Sequence, residues 1–188
     1  MTEIIDRTEE IPEAMARFIL HWGDLGNQWG VNRSVAQIQA LLYLSERPIT
    51  AEEIAETLGL ARSNVSNSIK ELLAWKLIQR TPVMGDRRDH YEAITDIWEM
   101  VTRIVQGRKE RELDPAANAL RDCIEAAKSD KKISPVALRR LQEMQEFVET
   151  TNRWYDQMLT VPKANLIALI KMGTKVTGLL SGRKRKDG

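Results

Sequence analysis

The sequence predicts a mostly α-helical fold with a small β-hairpin wing, that is, a winged helix-turn-helix unit with helical dimerisation extensions. Two observations lead to this prediction. Residues 50–73 repeat apolar positions at helical spacing on both sides of Gly59, and residues 77–93 contain two short β-prone runs on both sides of Gly85. With 188 residues, 43% hydrophobic and 29% charged, the chain can form one globular domain with an extension.

Three segments are expected along the chain. Residues 1–30 are predicted as an N-terminal helical extension, residues 31–95 as the winged helix-turn-helix domain, and residues 96–188 as a C-terminal helical dimerisation region. The single Cys123 excludes an intramolecular disulfide framework, and no cluster of ligands indicates a structural metal. We therefore expect no metal and no cofactor.

Apolar spacing predicts helices outside the two-helix motif. One helix is predicted from Ile11 to Gly23 and another from Ala36 to Leu44, followed by a short extended stretch that ends at Thr50. Further helices are predicted to start at Asp96, Asp114 and Ser134, where a side chain able to cap a helix comes before a helical run. In the last two cases a proline follows directly, as is common at the first helical position.

Residues 50–73 predict two helices that meet at a tight turn. Thr50 and Glu53 have the spacing of a capping box, and Gly59 allows the turn. Five side chains share one polar arc of the second helix, and Asn64 is counted with them as a candidate for DNA binding: Arg62, Ser63, Ser66, Asn67 and Lys70. None is acidic, and all can donate to phosphates or base edges. The alternative is an ordinary solvated helix face.

The stretch after the second helix predicts the wing. Leu77–Val83 and Asp89–Ala93 are predicted as antiparallel strands, with Gly85-Asp86 as their turn. Arg87 and Arg88 at the tip suit contact with phosphates or with a minor groove. A neighbouring aspartate can also pair with an arginine and fix the turn. We expect one arginine to brace the loop and the other to face DNA, and the sequence leaves open which one does which.

The distribution of charge agrees with a nucleic-acid partner, although the net charge is only +1. Residues 1–60 carry 4 Lys+Arg against 10 Asp+Glu, whereas residues 61–90 carry 6 against 3. Positive charge is thus concentrated where DNA would lie. The first residues are too acidic, and their apolar run too short, for a signal peptide, so a cytoplasmic protein is expected.

In these motifs the chain resembles the MarR superfamily of winged-helix regulators, and in particular its GbsR-like branch. The resemblance covers about residues 22–100. It depends on residues 29–34, the helix 36–44, Leu58-Gly59-Leu60, Ser63-Asn64-Val65-Ser66, Trp75-Lys76-Leu77-Ile78 and Gly85-Asp86-Arg87-Arg88-Asp89. It implies a homodimeric, ligand-responsive transcriptional regulator. The family often has Ser or Thr where this chain has Ala61, and the missing capping hydroxyl is typically worth ~1 kcal/mol.

The C-terminal region offers a surface for dimerisation. From Pro135 to Thr160 a heptad-like line is formed by Ala137, Leu141, Met144, Val148, Thr151, Tyr155 and Met158. The same line could instead pack against the chain's own helices, and the sequence leaves both alternatives open. Residues 164–180 are apolar but interrupted by Lys171 and Lys175, so helix packing is expected rather than a membrane partner. A basic tail follows at residues 183–186.

A small-molecule effector is the third expected partner, after duplex DNA and a second copy of the chain. The candidate effector-binding residues are Trp22, Trp29 and Trp98, because tryptophan faces attract quaternary ammonium groups. The alternative is ordinary packing of these rings in the core. The GbsR-like branch is associated with genes for osmoprotectants, but the resemblance alone does not assign that effector here.

These observations together predict a sequence-specific, DNA-binding transcriptional regulator that acts as a homodimeric repressor. The alternative is a winged-helix module that binds another protein without specific DNA binding. A catalytic function is not expected. His21 and His90 have no nucleophile arranged around them, and the acidic neighbours of Cys123 disfavour a thiolate.

Overall fold

The computed structural model describes residues 11–168 and Met172. It is mostly helical, as the sequence predicts, and contains a small three-stranded antiparallel sheet. The chain forms two compact units, one ending at Ile104 and the other starting at Val105. Within the described residues, no helix is long and apolar enough to cross a membrane. Most of the apolar stretch 164–180 and the basic tail lie outside the described residues.

The elements follow one another along the chain in the order that the motifs predict. They are α1 (Glu13–Gln28), α2 (Arg33–Leu44), β1 (Ile49–Thr50), α3 (Ala51–Leu58), α4 (Arg62–Ala74), β2 (Ile78–Arg80), β3 (His90–Ala93), α5 (Ile97–Arg108), a π-helical segment (Lys109–Leu113), α6 (Asp114–Ser129) and α7 (Pro135–Thr160). The functional division into three segments stays a prediction.

Helix α1 is longer than predicted because its glycines belong to a helix–helix contact. The prediction ended this helix at Gly23, but it continues to Gln28 and packs along α2. A Cβ placed on Gly26 would lie 2.6 Å from the Cβ of Ala36, so only glycine allows this close approach. The helix ends before Gly30, whose φ of 77° is left-handed.

The core of the first unit is enclosed by the helices of the motif and their neighbours. Its most buried side chains come from α1 to α4: Ile19, Ile38, Leu42, Ile54, Val65 and Leu72. Each such side chain contributes about 1.5–3 kcal/mol on burial. Gly59, with φ 62°, ends α3 and turns the chain towards α4, as its position in the sequence predicts.

The predicted capping box is present at the start of α3. The backbone N–H of Thr50 donates to Oε2 of Glu53 (2.7 Å), and the N–H of Glu53 donates to Oγ1 of Thr50 (3.2 Å). Arg47 donates to the other Glu53 oxygen at 2.7 Å. Burial by itself would raise the pKa of Glu53, but the hydrogen bonds from Thr50 and Arg47 outweigh it and lower this pKa.

The sheet contains one strand more than the predicted hairpin. Its order is β1-β3-β2, and Thr50 of β1 lies opposite His90 of β3. A two-residue strand shows no alternation, so the sequence indicated only an extended stretch there. Strand β2 is shorter than the predicted Leu77–Val83 because its pairing with β3 ends at Arg80, opposite Tyr91.

In the second unit, α6 begins at Asp114 as predicted, but Asp114 does not cap it. Asp114 has helical torsions (φ −65°, ψ −44°) and continues the π-helical segment into α6 without a break. Pro115 lacks an N–H, and its ring would clash with the carbonyl of Arg111 in a regular α-helix, so a wider π turn accommodates it. The Asp114 carboxylate accepts a hydrogen bond from Nζ of Lys109 at 2.8 Å instead of capping a helix.

The other predicted helix starts are confirmed. Oδ1 of Asp96 accepts the backbone N–H groups of Trp98 (2.9 Å) and Glu99 (3.1 Å) at the start of α5. Oγ of Ser134 accepts the N–H of Ala137 at 3.1 Å, and α7 then runs from Pro135 as predicted. Both caps satisfy backbone donors that a helix start leaves free.

Helix α7 is 26 residues long, yet none of its residues is buried. Most of the predicted heptad line is half-buried: Ala137, Leu141, Val148, Thr151, Tyr155 and Met158. Four large apolar residues form a more exposed stripe, the α7 stripe, with exposed fractions of 48–66%: Val136, Met144, Phe147 and Trp154. At 100° per residue they fall within one side of the helix, so α7 has apolar surface that the described residues leave exposed.

The buried Thr50 hydroxyl provides the first test. We expect Thr50→Ala to lower the free energy of unfolding by about 1–2 kcal/mol, because it removes the acceptor for the N–H of Glu53. Thr50→Ser keeps the hydroxyl and should lose less than half as much. Urea unfolding followed by circular dichroism measures both. Equal losses in the two variants would show that the methyl group, not the cap, is responsible.

Candidate nucleic-acid interface

Helix α4 separates a buried side from an exposed polar side. Val65, Ser68, Ile69 and Leu72 are buried. The opposite side carries the five side chains of the predicted polar arc, all of them exposed: Arg62, Ser63, Ser66, Asn67 and Lys70. None of these five forms a hydrogen bond or ion pair with another residue that the structure describes. Their donors are therefore available to a partner, and we call them the α4 polar face.

Asn64 does not belong to the α4 polar face, although it was counted with the candidate DNA-binding residues. It is half-buried, and its side-chain amide donates to Oγ of Ser34 in α2 at 2.8 Å. This hydrogen bond ties the start of α4 to α2. The role of Ser34 was missed, because a contact between residues 30 positions apart leaves no local signal in the sequence.

Helix α4 begins at Arg62 even though its N-cap residue has no capping side chain. Ala61 has extended torsions (φ −62°, ψ 138°), and its carbonyl accepts the N–H of Val65 at 3.1 Å. No side chain accepts the first N–H groups of the helix. These donors, at the positive end of the helix dipole, lie beside the α4 polar face.

The wing tip is a two-residue turn, one residue earlier than predicted. Val83 and Asp86 pair across it, with the N–H of Asp86 donating to the carbonyl of Val83 at 3.1 Å. Met84 and Gly85 are therefore the central residues, and Gly85 has a φ of 83°. A left-handed residue at the second central position requires glycine, which decides where the turn lies.

An ion pair between Asp86 and Arg88 braces the wing. Nε of Arg88 lies 3.0 Å from both carboxylate oxygens of Asp86, and its backbone N–H donates to the same carboxylate at 3.0 Å. The side-chain hydrogen bonds from Arg88 hold the pKa of Asp86 well below its usual range, and Asp86 raises the pKa of Arg88. The side chain of His90 is buried, and its Nε2 lies 3.5 Å from the Asp86 carboxylate. The sequence spacing did not reveal this contact.

The two wing arginines therefore have different surroundings. Arg88 pairs with Asp86, whereas Arg87 is exposed and has no ion pair or hydrogen bond with any residue that the structure describes. At the base of the wing, Arg80 lies 3.6 Å from Asp89. The open question of which arginine braces the loop is answered: Arg88 does, and the guanidinium of Arg87 points to a partner or to solvent.

The three candidate effector tryptophans lie in different settings. Nε1 of Trp22 donates to Oε1 of Gln39 at 2.8 Å, and its ring stacks on Phe18. Trp29 is 66% exposed at the end of α1, and Trp98 is half-buried in the first turn of α5. None of the three lines the cleft formed by Gln79 and residues 92–96 and 99. Their role in effector binding stays a prediction.

The geometry of the two helices and the hairpin defines a class of protein. A capped first helix, a glycine turn, a second helix with a free polar side and a braced hairpin with an exposed arginine together make a winged helix-turn-helix unit. Within that class, residues 29–89 match the MarR family model (MarR_2).

Two curated relatives are similar to part of the chain. YvaV of Bacillus subtilis (strain 168), described as a candidate HTH-type transcriptional regulator, is 24% identical over 47% of this chain and 50% of its own length. OpcR of the same organism, named an HTH-type transcriptional repressor, is 21% identical over 38% of each chain. This chain thus spans half or less of these relatives.

A solved structure supports the fold over a longer range. A crystal structure described as a transcriptional regulator is similar with a TM-score of 0.62 at 17% identity, covering 78% of this chain and 95% of that chain. At this identity the similarity establishes the architecture.

The brace predicts a specific titration behaviour. In Arg88→Ala the pKa of Asp86 should rise towards the ordinary aspartate value of about 4, because its main hydrogen-bond donor is lost. Arg87→Ala should leave it unchanged. Carbon-detected NMR of the carboxyl group over a pH series measures both.

The sign of the linked stability follows from this depressed pKa. The brace stabilises the folded wing above the unfolded aspartate pKa, and this contribution is lost only as the pH falls through the lower folded value. Wing order should therefore be constant through neutral pH. An unchanged Asp86 titration in Arg88→Ala would assign the shift to another group.

Proposed function

We propose that this protein is a sequence-specific DNA-binding regulator of transcription in the cytoplasm. The observation that carries the proposal is the α4 polar face, a set of five exposed donors without an acid among them and without partners among the residues that the structure describes. A buried apolar side fixes the orientation of the helix, and the positive end of its dipole adds to the attraction for phosphates.

The residues of α4 divide into two roles. Arg62, Ser63 and Asn67 lie near the start of the helix, which in this class of motif usually meets the base edges. Lys70 lies about one turn further along and suits a phosphate. Arg87 adds a cation on the wing, while the pairing of Asp86 with Arg88 reduces repulsion between that carboxylate and DNA.

We further propose that the protein binds DNA as a homodimer. A single winged unit reads one half-site, so specificity improves when two units are linked. The α7 stripe supports this proposal, because a 26-residue helix without a buried residue has apolar surface left to cover. Helix α1 adds exposed apolar residues, among them Phe18, Leu20 and Leu25.

Repression and response to a ligand complete the proposal. Repression is supported by the relative named as a repressor, and the GbsR-like assignment by the motifs described above. An effector would have to bind one arrangement of the two winged units more tightly than the other, because equal affinity shifts no equilibrium. A catalytic step is not part of the proposed function.

The division of roles on α4 can be tested by two substitutions. We expect Asn67→Ala to cost about 1–3 kcal/mol on the cognate duplex and to relax sequence preference, because it removes a base contact. Lys70→Ala should weaken cognate and random duplexes about equally. Fluorescence anisotropy measures the cognate-to-random affinity ratio of each variant. The cognate duplex is selected by the protein from a random pool, and a scrambled duplex serves as the random one.

The same titrations distinguish the proposed function from a protein-interaction module. DNA binding through phosphates must weaken steeply as salt increases. If the wild-type protein selects no duplex and binds none in low salt, the proposal of DNA binding is wrong. If Asn67→Ala keeps the cognate-to-random ratio, base reading lies elsewhere on the surface.

The dimer proposal has its test on α7. We expect Phe147→Glu to yield a monomer with weaker operator binding, because a charge would be buried in the interface. Gln142→Glu makes a similar change of charge at an exposed position on another side of α7 and should stay dimeric. Val148 of the heptad line is half-buried, so a charge there would affect folding as well as association.

Light scattering after size exclusion reports the oligomeric state of each α7 variant. Circular dichroism confirms that α7 is intact. A folded, dimeric Phe147→Glu would move the interface away from the α7 stripe, with the exposed side of α1 at Phe18 as the next surface to test.

A further inference from the structure

The wing tip presents an apolar side chain to solvent. Met84 has a relative exposure of 102%, and no other large hydrophobic residue that the structure describes is as exposed. The next in rank, Trp29 and Phe147, reach 66%. Single exposed apolar residues are common on proteins and need no explanation by themselves. The position of Met84 in a fixed, protruding turn makes this one different.

The turn holds the Met84 backbone in place. The hydrogen bond from Asp86 to Val83 closes the turn, Gly85 takes the left-handed position, and the Asp86–Arg88 brace fixes the chain that leaves it. Met84 occupies the first central position, before Gly85, and its side chain makes no buried contact. The side chain therefore contributes little to folding and is displayed by a structured loop.

The charges around Met84 favour approach to a polyanion. Arg87, three residues along, is exposed and without a partner among the described residues. Asp86 is paired with Arg88, and Asp89 lies near Arg80. The tip thus combines one exposed apolar side chain with one cation that has no partner among the described residues, while Asp86 and Asp89 each have an arginine beside them.

We propose that Met84 enters the DNA minor groove next to Arg87 and packs against its sugar walls. This inference depends on the proposed function and deepens it by naming a contact that is not electrostatic. Apolar side chains, methionine among them, are used as wedges in minor grooves, where a flexible thioether can follow the groove surface. Arg87 supplies the phosphate attraction, and Met84 supplies an apolar contact that salt does not screen.

The salt dependence of DNA binding distinguishes the contribution of Met84 from that of Arg87. With the selected duplex and the full-length protein, Met84→Ser should weaken binding about three- to tenfold at every salt concentration, because only apolar burial is lost. The slope of log K against log salt should stay as in the wild type. Arg87→Ala should instead reduce the magnitude of that slope by about one. Met84→Leu, which keeps an apolar side chain, should bind like the wild type.

A change in the DNA locates the contact in the minor groove. Replacing adenine by 2,6-diaminopurine adds an amino group to the minor groove and leaves the major-groove edge unchanged. Where the wing lies on A·T pairs, this replacement should weaken the wild type but have a smaller effect on Met84→Ser. Where it lies on G·C pairs, replacing guanine by inosine removes the amino group and should strengthen the wild type more than the variant. The same replacements outside the protected site serve as controls.

The outcomes separate this inference from the function on which it depends. Equal affinities of the wild type and Met84→Ser would overturn the Met84 contact while leaving DNA binding intact. Equal effects of the minor-groove replacements on the two proteins would place Met84 outside the groove. A wild-type protein that binds no duplex would remove the proposed function and this contact together.

Discussion

Thr50 is the residue on which the geometry of the winged unit depends. It is fully buried, its hydroxyl and N–H complete the capping box with Glu53, and it pairs with His90 in the sheet. One residue therefore sets both the start of α3 and the attachment of the wing. Because α4 packs on α3 across the glycine turn, α4 and the hairpin keep a fixed relation. Loss of this cap would loosen two elements at once.

In the wing, one arginine braces the loop and its neighbour is left exposed. Asp86 and Arg88 satisfy each other, and the depressed pKa of Asp86 keeps the pair charged well into the acidic range. Glu52 and Glu53 raise the pKa of Arg88 further, so this arginine is held to the protein side. Arg87 is left without such partners in the described structure. Neighbouring residues of the same type thus acquire different roles from their surroundings alone.

Local patterns predicted most of the fold, and contacts between distant residues account for what they missed. The caps at Thr50 and Asp96 depend on residues within three positions, so spacing revealed them. The pairing of β1 with β3 joins residues about 40 positions apart, and the bond from Asn64 to Ser34 spans 30. The capping role predicted for Asp114 failed because a π-helical segment runs into α6 without a break, so Asp114 has helical torsions.

The exposed apolar side of α7 relates the stability of the protein to its concentration. If a second copy covers the α7 stripe, association and folding are linked, and the free energy of unfolding rises with protomer concentration. Dilution would then lower dimer content and operator occupancy together. Occupancy would respond more steeply to the amount of protein than a one-to-one binding curve allows. The length and exposure of this one helix would thereby set a threshold concentration for operator binding by the regulator, independently of any effector.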